Sequence, residues 1–263
     1  MCKCKYSILS IPPALTDQNQ DPLNFTVPYY PITLPAPTTT YNILINNIVN
    51  ATGHKQFLMN GVAFQGDYND PVLLLAEEKN YSYPYDPNWN VVNFGTNSSI
   101  RINVYNNNTS PHVRHLPSSS PITGILIEMN TQPMHLHGHD FFVLHDGAGP
   151  WDGISIINPS NPQRRDTHNL APFGHIVIQY NADNPGTWPF HCHIAWHLSQ
   201  GLFMNFMESP KEINELQIPL VMKQTCDNWD AWTSKNVVDQ IDSGLKKRGS
   251  SPPLRERKVR RSL

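Results

Sequence analysis

The chain reads as all-β: a Greek-key sandwich or barrel with an irregular N-terminal lead-in and a C-terminal tail. Three observations predict this. Charged side chains make up only 15% of the 263 residues, while Pro reaches 24 and Gly 14. Short runs rich in valine, isoleucine and aromatics alternate with turn signals such as Asn60-Gly61, Asp152-Gly153 and Asn184-Pro185-Gly186. The runs number roughly seven or eight over about 170 residues, the strand spacing of sandwiches and barrels.

Taken in order, residues 1–40 are proline-rich and weakly periodic, an irregular lead-in. Strands are expected at Tyr41–Ile48, Val72–Ala76, Ser99–Tyr105, Gly124–Met129, Asp140–His145, Gly174–Tyr180, Thr187–His193 and Gly201–Met207. Tyr81–Asn90, rich in Tyr, Pro and Asn, reads as a loop. The strands place one domain over 41–209. A C-terminal extension covers 210–245, and Glu208–Asp239 holds a helical turn or two. No internal repeat is visible.

Charge is unevenly spread. Eight of the 19 Lys/Arg but one of the 21 acids lie from Lys246 onward, which leaves residues 1–245 with a net charge of −9. A body this acidic gives no support to nucleic-acid binding, so 246–263 reads as a solvated, removable tail. No apolar run approaches membrane-spanning length. Six Asn-x-Ser/Thr sequons, at Asn24, Asn50, Asn80, Asn97, Asn107 and Asn108, favour a secreted, glycosylated surface. The N-terminus nevertheless lacks a signal peptide: the apolar stretch after Lys5 is short and soon meets Pro12-Pro13. The expectation is that the front of the protein is missing.

The cysteines are Cys2, Cys4, Cys192 and Cys226. They make no internal disulfide framework, and the Cys2-x-Cys4 pair has no partner cluster. Of 12 histidines, six sit in two short windows, His135-Leu-His137-Gly-His139 and His191-Cys192-His193 with His197. Side chains alternate faces along a strand, so an extended His-Cys-His sends two imidazoles one way and one sulfur the other. Two metal centres joined by a few covalent bonds can be built that way. His54, His112, His115, His168 and His175 read as ordinary polar residues. Structural zinc prefers several thiolates or wider ligand spacing, and a cupin would want a glutamate ligand where only Asp140 is near. One thiolate with imidazoles is a copper set.

At these residues the chain resembles the third, C-terminal cupredoxin domain of ascomycete-type fungal laccases, within the multicopper oxidases. The matching stretches are Pro133-Met-His-Leu-His-Gly-His-Asp-Phe141, Arg164-Arg-Asp-Thr167, Asp183-Asn-Pro-Gly-Thr-Trp188 and His191-Cys-His-Ile-Ala-Trp-His197. Asp242-Ser-Gly-Leu245 before Lys246-Lys247-Arg248 is similar to the family's processed C-terminus. The resemblance implies a cupredoxin-like fold and copper as cofactor. It also implies one-electron oxidation of phenolic or other aromatic donors, coupled to reduction of dioxygen to water. Cys192 and His197 would ligate a mononuclear type 1 copper, with Leu202 at its non-ligating axial position. His191, His193 and His137 would hold type 3 copper and His135 type 2 copper. Electrons would run from Cys192 into His191 and His193. His139 would be structural, and Cys226 would bridge to another domain.

Two departures stand out. Gln132 occupies a position where the family has a ligand histidine, and an amide oxygen is a weaker copper donor. No further His-x-His pair exists in the sequence, so the remaining cluster ligands are expected from missing N-terminal cupredoxin domains, and the chain alone is expected to be inactive. The alternatives are a non-catalytic, degenerate copper-binding domain and a metal-free β-domain.

Overall fold

The computed structural model describes residues 23–78, 86–108 and 131–236. The expected strand at Gly124–Met129, the tail 246–263, Cys2, Cys4, His112, His115 and the Asn80 sequon lie outside them. Eleven strands occur among the described residues: β1 (Thr39–Val49), β2 (Lys55–Met59), β3 (Val91–Asn93), β4 (Ser99–Asn106), β5 (Gln132–Leu136), β6 (Phe141–Ala148), β7 (Gln163–Arg165), β8 (Thr167–Leu170), β9 (Gly174–Asn181), β10 (Gly186–Cys192) and β11 (Phe203–Glu208). They form a six-stranded sheet, β2-β1-β4-β9-β6-β7, and a five-stranded sheet, β3-β11-β10-β5-β8. Two neighbouring pairs, β1–β4 and β11–β3, are parallel and the rest antiparallel.

Alternation explains the packing. In β4, Ile100, Ile102 and Val104 are fully buried, and they stand opposite Tyr180, Ile178 and Ile176 of β9. The other sheet contributes Met134, Leu136, Phe190, Met204 and Phe206 to the same core. Strand β9 is buried along nearly its whole length. Its second face packs Val177 with Phe142 and Leu144 under Leu34, Trp151 and Ile156. The irregular segment before β1 is tied down by side-chain amides: Asn161 donates to the Pro28 carbonyl (2.9 Å) and Gln179 to that of Pro35 (2.8 Å).

Two expectations fail. Val72–Ala76 belongs to a helix, α1 (Val72–Glu77), not a strand. Its composition, Leu-Leu-Leu-Ala-Glu after a single β-branched residue, favours helix once Pro71 has set the chain's direction. The C-terminal extension is more helical than a turn or two: α3 (Pro210–Ile213) precedes a 17-residue α4 (Leu220–Asn236). Helix α4 has little apolar stripe to signal it. Its buried residues are Asp230 and Thr233, while Leu220, Val221, Met222 and Trp232 are exposed. The remaining helix, α2 (Ala195–Ser199), belongs to the site below.

Candidate metal centre

Strands β5 and β10 are antiparallel neighbours whose register sets His135 opposite His191 and Met134 opposite Cys192. The ladder continues past both strands: His137 N–H donates to the Pro189 carbonyl (2.9 Å) and His193 N–H to that of Pro133 (2.7 Å). Alternation therefore holds across both histidine windows. Gln132, Met134 and Cys192 belong to the core face, and His135, His137, His191 and His193 to the other.

The four imidazoles converge. Ring centroids of His135 lie 4.7 Å from His137, 5.7 Å from His191 and 5.7 Å from His193. His137 and His191 bring their Nε2 atoms to 2.9 Å. Each ring's far nitrogen is occupied in two cases: His135 Nδ1 lies 2.7 Å from the Asp166 carbonyl oxygen, and His191 Nδ1 2.9 Å from that of Cys192. With the proton on Nδ1 in each, Nε2 keeps its lone pair toward the group, the tautomer a metal requires. Burial, followed by repulsion from the neighbouring rings, lowers the pKa of both His137 and His191. They stay neutral and able to ligate. The group is open on one side; among the described residues no three His, Cys, Asp or Glu side chains close around a metal position.

On the other face Cys192 Sγ lies 3.6 Å from His197 Nδ1, both buried. The chain makes this contact by turning directly after β10 into α2, which returns His197 beside the sulfur. Leu202, fully buried, accepts from Cys192 N–H (3.2 Å) and donates its own N–H to the His197 carbonyl (3.0 Å). Phe57 lies against the His197 ring at 4.5 Å. Burial pushes the Cys192 thiol up to about 11, so ionisation there calls for a bound cation. Gln132 is 4% exposed, and its Oε1 has no hydrogen-bond partner. It stands one alternation from Met134, the residue opposite Cys192. Diagonal same-face neighbours of this kind are about 7–8 Å apart at Cα, within a long side chain's reach. An unpaired buried carbonyl costs about 1–3 kcal/mol, and a metal would be a partner for it. Sulfur, imidazole and amide oxygen thus fit a metal on this face, with one donor harder than the other two. The imidazoles fit a metal on the opposite face.

Apart from the structural role that the resemblance implied for His139, sequence reasoning missed the frame around these residues. Gly138, at φ +74°, turns the chain after β5, and a Cβ there would lie 2.5 Å from the Trp188 ring. Trp188 Nε1–H donates to the Asn184 carbonyl, and the Asn184 amide donates to that of Gly138. His139 faces Glu208 at 3.3 Å, packed against Tyr180 and Trp188. Burial works against the charge on His139, but Glu208 outweighs it and its pKa is raised; burial raises that of Glu208. A glutamate closing the apolar strand Phe203–Glu208 was the available signal.

Residues 47–212 match the multicopper oxidase family. Laccase-1 of Botryotinia fuckeliana is 32% identical over 240 residues, covering 88% of this chain and 38% of that protein. Laccase-2 of Podospora anserina is 33% identical, covering 72% of this chain and 30% of its own length. The structure of the L499M mutant of the laccase from B. aclada superposes with a TM-score of 0.69 at 25% identity, over 86% of this chain and 38% of that one. The chain thus spans between three-tenths and two-fifths of the length of these relatives. The fold, the strand-borne histidines and these likenesses agree: this chain belongs to the multicopper oxidases, whose cofactor is copper.

Proposed function

We propose that the chain is the C-terminal portion of a laccase-like oxidase that takes single electrons from phenolic or other aromatic donors and delivers them to dioxygen. The observation that carries this reading is the two-faced strand pair: one sulfur with His197 on the core side, four convergent imidazoles on the other. Copper, when bound, supplies one-electron redox chemistry at the first place and multi-electron reduction of oxygen at the second.

The protein's own contribution is position. Cys192 and His197 hold the mononuclear ion, with Leu202 as an apolar wall and Gln132 as a third, oxygen donor. His137, His191 and His193 serve type 3 copper and His135 type 2 copper. The orientation of His135 and His191 rests on the Asp166 and Cys192 carbonyls. Because Cys192 is bonded in sequence to His191 and His193, electrons have a short covalent path between faces. The open side of the imidazole group suits further histidines from the N-terminal cupredoxin domains of the longer protein.

Secretion and glycosylation belong to the same proposal. Asn24 and Asn107 are exposed and suited to carry glycans, while Asn108 is 5% exposed and is not. No helix among the described residues is long and apolar enough to cross a membrane.

The test is joint reconstitution. The chain, loaded with copper and mixed with N-terminal cupredoxin domains of a related laccase, is expected to consume oxygen with a phenol, and neither part to do so alone. Copper bound to the folded chain in no more than trace amounts would overturn the reading.

A further inference from the structure

A second pair of imidazoles lies in the other sheet, outside the centre described above. His145 of β6 stands opposite Val177 of β9 beside a β-bulge, and Gly147 stands opposite His175. The bulge brings His145 and His175 to the same outer face. Their rings are stacked, with centroids 5.1 Å apart and planes 12° apart, and His145 Nδ1 lies 2.8 Å from His175 Nε2. His175 is 4% exposed and His145 half-buried. A Cβ on residue 147 would approach the two rings at 3.3 and 3.8 Å, so glycine leaves them their room.

We propose that His145 and His175 form a two-nitrogen chelate for a divalent transition-metal ion of the Cu²⁺/Ni²⁺ class, independent of the Cys192 and His135 centres. His175 is already oriented for it. Its Nδ1–H donates to the Gly149 carbonyl (2.7 Å), which fixes the tautomer and aims the Nε2 lone pair at His145. That is how metal-bound imidazoles are held. In the metal-free pair the His145 Nδ1–H fills this lone pair. Binding moves that proton to His145 Nε2 through solvent, so both nitrogens face the ion and no proton is lost.

The spacing selects the ion. With metal–nitrogen bonds of about 2.0–2.1 Å, nitrogens this far apart subtend about 85–90° at the metal, whereas a tetrahedral pair stands about 3.3 Å apart. Adjacent corners of a square or octahedron suit Cu²⁺ and Ni²⁺, and disfavour tetrahedral Zn²⁺. Burial lowers the pKa of His175, which keeps it neutral, while the carboxylates of Asp146 and Asp152 place negative charge nearby. Asp152 is exposed and its oxygens are engaged by Ser155 and Ile154. It contributes field rather than a ligand, and among the described residues no third His, Cys, Asp or Glu completes the set. Water takes the remaining positions.

Titration calorimetry with Ni²⁺ on the metal-stripped full chain tests this, with His145→Gln and His175→Gln as separate variants and His54→Gln as control. One Ni²⁺ event is expected to weaken at least tenfold in either variant and to be unchanged in the control, with Zn²⁺ binding the same place more weakly than Ni²⁺. His145→Gln keeps a side chain at a half-buried position and is the safer of the two for folding. Absence of that event in the unaltered chain, its persistence in His145→Gln, or a preference for Zn²⁺ would each overturn the assignment.

Discussion

The two faces of the β5–β10 pair use the same backbone to opposite ends. On the core face, Cys192 and His197 are sealed by Leu202 and Phe57, and the sulfur is held as a thiol by its burial. On the other face, His137 and His193 are exposed at the open margin of a group whose buried member is His191, and both His137 and His191 are held neutral. The period of two along a strand separates the functions, and the peptide bonds between Cys192 and its neighbours keep them in contact. A helix could not do this with adjacent residues, because successive side chains there turn by about 100° rather than reversing.

Removing the sulfur should break the comparison most completely. Cys192→Ser is expected to abolish any thiolate-to-copper absorption while copper on the imidazole face remains. Visible spectra and copper content per chain read the two separately, and loss of both together would show that the faces are not independent. Next comes Gly138→Ala, which forces a Cβ into the Trp188 ring at a positive φ. Overpacking of this kind costs about 1–3 kcal/mol, and the unfavourable φ adds to it. A fall in urea midpoint is expected, with the damage centred on the imidazole side because His137 precedes this turn. Gln132→His sharpens the contrast in the other direction. Exchanging an amide oxygen for an imidazole on the core face should raise copper affinity there by about tenfold, or about 1.4 kcal/mol, and bring an intense blue band. Unchanged affinity would show that residue 132 does not reach the metal.

The sequence made the division of faces legible, because i,i+2 spacing in His191-Cys192-His193 needs only an extended backbone to be read. It did not reveal β5 as a strand. Pro133 and the imidazoles interrupt the apolar run, and the pairing with β8 and β10 that makes Gln132–Leu136 extended is nonlocal. The strand expected at Val72–Ala76 shows the converse error, since a run of leucines carries no period and only its helix formers distinguish it. The His145–His175 contact was out of reach for another reason. Thirty residues separate the two, and a bulge that no local pattern announces puts them on one face. Likewise, Gln132 is conspicuous in sequence only by resemblance. Its burial with an unpaired oxygen is a property of the folded core.

The smallest expected effect is a difference of sign between the faces in the metal-stripped chain. For His137 and His191 the folded pKa lies below the ordinary 6.5. As pH falls through 6.5 the unfolded chain takes up protons that the folded one refuses, and stability declines toward acid. For Cys192 the folded value is about 11 against 9.0. As pH rises past 9.0 the unfolded chain releases a proton that the folded one retains, and stability declines toward alkali until about 11. Each group can contribute a slope of at most about 1.4 kcal/mol per pH unit. Urea midpoints measured from pH 5 to 10.5 should therefore fall at both ends, with Cys192→Ser flattening only the alkaline limb and His137→Gln easing only the acid one. If Cys192→Ser altered the acid limb instead, the thiol and the imidazoles would share one environment, and the separation of faces would not hold.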